Sequence, residues 1–101
     1  MPFVRAAKLP ELPVGTVHEI QVAGKAVALA NVAGKLFAIN NTCLHRGGPL
    51  GQGSLQDRIV TCPWHGWEYD VTTGKVLQNS DMGVACYATE VRGDEVFIDI
   101  A

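Results

Sequence analysis

The sequence predicts an all-β fold of antiparallel strands, and three observations carry the prediction. Several short stretches alternate apolar and polar side chains with a period of two, as a strand with one buried face does. Compact turn signals separate such stretches by only a few residues: Ala-Gly-Lys at 23–25 and again at 33–35, Thr-Thr-Gly-Lys at 72–75, and Arg-Gly-Asp-Glu at 92–95. The composition is 48% apolar and 18% charged, with eleven glycines and five prolines dispersed along the chain, which fits a folded, turn-rich protein rather than a disordered one.

Taken in order, residues 17–22 set Val17, Glu19 and Gln21 on one face and His18, Ile20 and Val22 on the other. His18 has no cysteine or carboxylate motif beside it and reads as structural. The first Ala-Gly-Lys turns the chain into residues 26–32. Their alanine-rich start could form a helical turn, but the segment is short and bounded by Gly24 and Gly34, which favours a strand. The second Ala-Gly-Lys leads to residues 36–40, so two hairpins are implied. Residues 41–53 then read as a loop, because Gly47, Gly48, Gly51, Gly53 and Pro49 exclude long regular structure. Residues 59–62 form a strand entering a second loop at about 61–69, residues 67–71 leave it, and a turn at 72–75 joins residues 76–78. Tyr87, Thr89 and Val91 alternate with Ala88 and Glu90, and the turn at 92–95 returns the chain through residues 96–100.

A chain of 101 residues without repeats, low-complexity tracts or linker-like runs is expected to form one domain, residues 1–101. The formal net charge of -2 provides no basic stripe, so no nucleic acid is expected as a partner. No apolar h-region opens the sequence and no stretch is long enough to span a bilayer, so a cytoplasmic protein with no membrane partner is expected. Three cysteines cannot all pair within the chain, which favours thiol or metal chemistry over a disulfide scaffold.

Two of the three cysteines and two of the three histidines fall into one pattern, Cys43-x-His45 and Cys62-x-x-His65, with sixteen residues between the two parts. A single buried cysteine is an ordinary small hydrophobe, but the joint pattern is far rarer by chance than its members. Zinc accepts two thiolates and two imidazoles, although common zinc fingers keep the cysteines in one knuckle and the histidines in another. Here each loop supplies one of each. That distribution suits a binuclear cluster in which one iron takes both thiolates and the other both imidazoles. A mixed-ligand zinc site, and with it a zinc-stabilised interaction module without redox function, stays open as the alternative.

At Cys43-Leu-His-Arg-Gly47 and Cys62-Pro-Trp-His-Gly-Trp67 the chain resembles the Rieske family of 2Fe-2S proteins, and the β-rich setting extends the likeness over essentially the whole length. The resemblance implies a Rieske fold of antiparallel sandwich-like or barrel-like sheets with two cluster-binding loops, and one 2Fe-2S cluster. Cys43 and Cys62 would bind the iron that stays ferric, and His45 and His65 the iron that takes up the electron. The Rieske proteins of respiratory and photosynthetic complexes carry a disulfide at the positions of Gly48 and Trp64, and a serine near a bridging sulfur at the position of Trp67. Losing that hydroxyl removes a hydrogen bond favouring the reduced state, so a potential toward the low end of the Rieske range, about -150 mV, is expected. Tyr69 matches a tyrosine of the high-potential group. The stretch 78–84, matching a proline-containing covering loop in the family, has no proline here.

Among the remaining residues, Trp64 and Trp67 read as packing groups that exclude water, Arg46 as a candidate for the docking rim, and Cys86 as a buried structural thiol. Once His45 and His65 are assigned to the cluster only His18 is left, too few for a 2-His-1-carboxylate iron site. No G-x-G-x-x-G supports a nucleotide site. The chain is therefore expected to be an electron-transfer component and not itself an enzyme. By resemblance its partners are a flavin-containing NAD(P)H ferredoxin reductase and a terminal oxygenase, such as that of a ring-hydroxylating dioxygenase, or another redox acceptor. The alternative within the family is the Rieske-like small subunit of a nitrite reductase-type complex.

Overall fold

The computed structural model describes residues 3–44, 47–64 and 66–100. Among them ten strands form three antiparallel sheets: β1 (Phe3–Lys8), β2 (Val17–Val22), β3 (Lys25–Val32), β4 (Lys35–Asn40), β5 (Ser54–Gln56), β6 (Ile59–Thr61), β7 (Glu68–Asp70), β8 (Cys86–Tyr87), β9 (Thr89–Arg92) and β10 (Glu95–Asp99). The strand orders are β1-β10-β9, β2-β3-β4-β8 and β5-β6-β7.

The middle sheet is sandwiched, and the side-chain alternation of β3 and β4 explains how. Val27 and Leu29 of β3, with Leu36 and Ala38 of β4, enter a core closed on the other side by Val96 and Ile98 of β10. Their neighbours Ala28 and Ala30, with Phe37 and Ile39, face a second core that contains Val60 of β6 and Tyr69 of β7. Residues 27–31 are all buried because both faces of β3 are covered, which is why this strand reads as a continuous apolar run rather than an alternation. Both hairpins that flank β3 turn on an Ala-Gly pair, and all four residues adopt positive φ, matching the twist of two-residue hairpins.

Two strands were not foreseen. In β1 the alternation is broken by a shift of register between Arg5 and Ala7, so that Ala6 and Ala7 both pack on the core. β5 is three residues long and mostly polar. Conversely, the stretch expected as a strand at 76–78 forms no strand but meets β7 through a bridge between Tyr69 and Val76 and through hydrogen bonds between Glu68 and Gln78. The chain turns away at once, as Met82 donates back to Asn79 and Val76 donates to Met82.

Candidate metal centre

The two cysteines of the predicted pattern sit where strands end, Cys43 three residues beyond β4 and Cys62 directly after β6. Each opens a turn closed in the same way. The Cys43 amide donates to the Gly48 carbonyl at 2.8 Å and the Gly47 amide returns to the Cys43 carbonyl at 2.8 Å. The Cys62 amide donates to the Trp67 carbonyl at 2.8 Å and the Gly66 amide returns to the Cys62 carbonyl at 3.1 Å. The fourth residue after each cysteine is a glycine with φ of 75° at Gly47 and 76° at Gly66, a conformation that costs any residue bearing a Cβ. Loops with different side chains therefore share one backbone frame. The predicted ligands His45 and His65 fall within these two frames in sequence but lie outside the described residues, as does Arg46.

Both cysteines are 2% exposed, and no disulfide joins them. They share their core with Leu50, Val60 and Tyr69. Tyr69, fully buried on β7, donates its hydroxyl to Cys43 Sγ at 3.4 Å and accepts the Leu44 amide at 2.8 Å. Burial, followed by the bond to Cys43, pushes this hydroxyl well above the ordinary tyrosine range; the Leu44 amide opposes the rise and the charges of Cys43 and Cys62 add to it. The phenol therefore remains a donor toward the sulfur at any physiological pH.

The loops also meet each other. A methyl group placed on Gly48 would lie 2.8 Å from Cys62 Sγ and 3.0 and 3.1 Å from Cγ and Cδ2 of Trp64, so backbone from the first loop touches two side chains of the second. The first loop is held down by Asn41, a buried side chain whose Oδ1 accepts the Gly51 amide at 2.6 Å, and Gly51 lies directly on the backbone of Glu19 in β2. The stretch 78–84 packs Met82 and Val84 against the core that holds both cysteines.

Two expectations change here. Trp67 is half-buried and packs on this core as expected, but Trp64 is 56% exposed: one side of its indole meets Gly48 while much of the ring stands in solvent. Cys86 is exposed rather than buried, its thiol against Gly74, and local desolvation followed by the nearby Asp70 charge raises its pKa. The Leu44 side chain, not singled out in the sequence, is 45% exposed beside Cys43. Behind Tyr69, Asp70 accepts from Arg58 Nε at 2.8 Å, from the Thr72 amide at 2.9 Å and from the Thr72 hydroxyl at 2.6 Å. Burial works to raise its pKa, yet the Thr72 bonds and the Arg58 charge hold the carboxyl below the usual aspartate range.

Two buried thiols on matched turns, one accepting a hydrogen bond at sulfur, form a soft donor set of the kind an iron-sulfur centre needs. The model of the Rieske [2Fe-2S] domain matches residues 3–88 of the chain. The chain belongs to the Rieske [2Fe-2S] family. Its cofactor is accordingly one Rieske 2Fe-2S cluster, which decides the choice that the cysteines and histidines alone had left open with zinc. The chain is 33% identical over 100 residues, 98% of its own length and 96% of the relative's, to the ferredoxin component of the naphthalene 1,2-dioxygenase system of Pseudomonas aeruginosa. The Rieske fold is equally evident in solved structures. The ferredoxin of carbazole 1,9a-dioxygenase from Nocardioides aromaticivorans IC177 matches with a TM-score of 0.89 at 28% identity, covering 97% of each chain. A chain in a complex of reduced oxygenase and oxidized ferredoxin in carbazole 1,9a-dioxygenase matches with a TM-score of 0.86 at 23% identity, covering 95% of this chain and 91% of that one, and shows the same fold. No helix among the described residues is long and apolar enough to cross a membrane.

Proposed function

We propose that this Rieske protein carries single electrons from a flavin-containing, NAD(P)H-dependent reductase to the terminal oxygenase of a ring-hydroxylating dioxygenase system, with Cys43, Cys62, His45 and His65 as the cluster ligands. A bound 2Fe-2S centre accepts and returns one electron. The observation that carries the reading is the shared turn frame, which holds one buried cysteine in each of two loops, each cysteine followed in sequence by a histidine.

The protein's own residues hold the two cysteines in place and set their surroundings. Backbone hydrogen bonds fix both cysteines, and Tyr69 donates to Cys43 sulfur from a buried position. The surface beside the ligands suits brief encounters. Leu44 precedes His45 and Trp64 precedes His65, both exposed, and Arg46 is the single charged residue among residues 41–53 and 61–67. A small, mostly apolar contact is in keeping with redox complexes, which occupy the low end of interface sizes. The ferredoxin and oxygenase of the carbazole system form a complex, and the naphthalene relative is named a ferredoxin component. A cytoplasmic location is part of the same reading, because the proposed reductase draws on NAD(P)H.

The test is reconstitution with iron and sulfide followed by absorption and electron paramagnetic resonance spectra. The wild-type protein is expected to give the red-brown Rieske spectrum, and His45→Ala and His65→Ala to lose it while far-ultraviolet circular dichroism keeps the β signature. An unchanged spectrum in either variant refutes the ligand assignment.

A further inference from the structure

Gly48, Cys62 and Trp64 converge at one point of contact between the two loops. The Cβ position of Gly48 lies 2.8 Å from Cys62 Sγ and 3.0 Å from Trp64 Cγ. Gly48 is buried and its φ is not positive, so space rather than backbone conformation demands glycine there. Trp64, although 56% exposed, sets its ring against this backbone instead of leaving it open to water. The Cys43 sulfur accepts a hydrogen bond from Tyr69.

We propose that Trp64, seated on Gly48, is a positioning residue that clamps the two cluster loops together without a covalent link and walls the Cys62 sulfur off from water. The proposal rests on the ligand assignment above and assigns to this chain's own residues the closure of one side of the site. It follows from contact physics. An indole lying on a glycine buries apolar area on both partners and excludes the solvent that a smaller residue would admit. Water admitted beside a cysteine sulfur can hydrogen-bond to it, which favours the more negative, reduced state and raises the potential. The same opening lets the loops separate, which speeds loss of the metal.

The reconstituted wild-type protein is compared with Trp64→Ala, Trp64→Phe and Gly48→Ala by redox titration, electron paramagnetic resonance and the decay of visible absorbance under a chelator. Trp64→Ala is expected to shift the midpoint upward, so that at a fixed ambient potential the ratio of reduced to oxidised protein rises at least twofold, about 18 mV at 59 mV per decade for one electron. Its absorbance is expected to decay several-fold faster, and Trp64→Phe to restore both quantities toward wild type because a flat ring still covers Gly48. Gly48→Ala is expected to perturb the resonance spectrum or to prevent loading. A Trp64→Ala protein with wild-type midpoint and decay overturns the clamp, as does a Gly48→Ala protein indistinguishable from wild type. A wild-type protein that takes up iron and sulfide without a Rieske spectrum overturns instead the ligand assignment beneath it.

Discussion

Replacing Tyr69 by phenylalanine separates the redox role of its hydroxyl from its structural role, because that one oxygen does two things. It donates to Cys43 sulfur at 3.4 Å and accepts the Leu44 amide at 2.8 Å. The bond to sulfur strengthens as the site gains negative charge, so it stabilises the reduced state more than the oxidised one. Taking about 1 kcal/mol for that difference, a typical net hydrogen bond, and 59 mV for each tenfold change of a one-electron equilibrium, Tyr69→Phe lowers the midpoint by roughly 40 mV. The Leu44 amide, partly buried, loses its acceptor. The structural cost is then about 1 kcal/mol, the low end for an orphaned donor, or about 4–8 °C in the melting temperature of a domain of this size. A redox titration followed by circular dichroism gives the first quantity and a thermal melt the second. Since burial and the Cys43 bond keep the phenol protonated, the difference in midpoint between the two proteins is expected to stay constant from pH 6 to pH 9. A Tyr69→Phe protein with an intact Rieske spectrum and an unchanged midpoint refutes the hydrogen bond as a determinant of potential.

Three further outcomes follow from the geometry. Gly53→Ala would drive its Cβ into the Thr61 carbonyl oxygen, side chain against backbone at the β5–β6 hairpin; a loss of about 3 kcal/mol, the upper end for overpacking, is expected in chemical denaturation. The Asp70 carboxyl is held below its ordinary range, so its stabilising contribution is complete above about pH 3.8 and disappears as the pH falls through the folded value. Asp70→Asn should therefore flatten the acid limb of a urea-unfolding series between pH 7 and pH 3, by less than about 1 kcal/mol because Arg58 is exposed. Cys86→Ser should leave iron content and the Rieske spectrum unchanged while removing one thiol from the count under denaturing conditions.

What the sequence made legible was what local pattern controls. The strand β2 followed from alternation, β3 and β4 from the Ala-Gly turns that bound them, and both cysteines from their spacing among glycines. β1 escaped because a bulge turns Ala6 and Ala7 toward the same core, breaking the period on which the reading depends. β5 escaped because three residues, two of them polar, carry too little pattern, and their pairing with β6 is imposed by the tight hairpin around Asp57, which adopts positive φ. The site was readable as a list of residues and not as a set of contacts. Tyr69 and Cys43 are twenty-six positions apart, and nothing local reveals that the phenol points at the sulfur. Exposure was the least legible property. The surroundings of Trp64 and Cys86 are set by which loop lies over them, and in both cases tertiary structure left open what residue type alone would have buried.

The placement of the two loops explains why so small a protein can present a rigid metal site. Cys43 leaves the middle sheet and Cys62 leaves the sheet of β5, β6 and β7, so the cysteines approach from two sheets packed on one core. Each sulfur position is set first by backbone hydrogen bonds within its own turn, and then by a neighbour outside it: Tyr69 for Cys43, Gly48 for Cys62. Because the frame is backbone, side chains within it are free to differ, and the histidine stands two residues after the cysteine in one loop and three in the other. A site fixed in this way changes little when charge arrives, because its hydrogen bonds and packing are already in place before the electron is. The cost falls on sequence freedom at a few positions: Gly47 and Gly66 for conformation, Gly48 for space. Substitutions at these glycines should therefore impair the metal site before they impair the β-sheets.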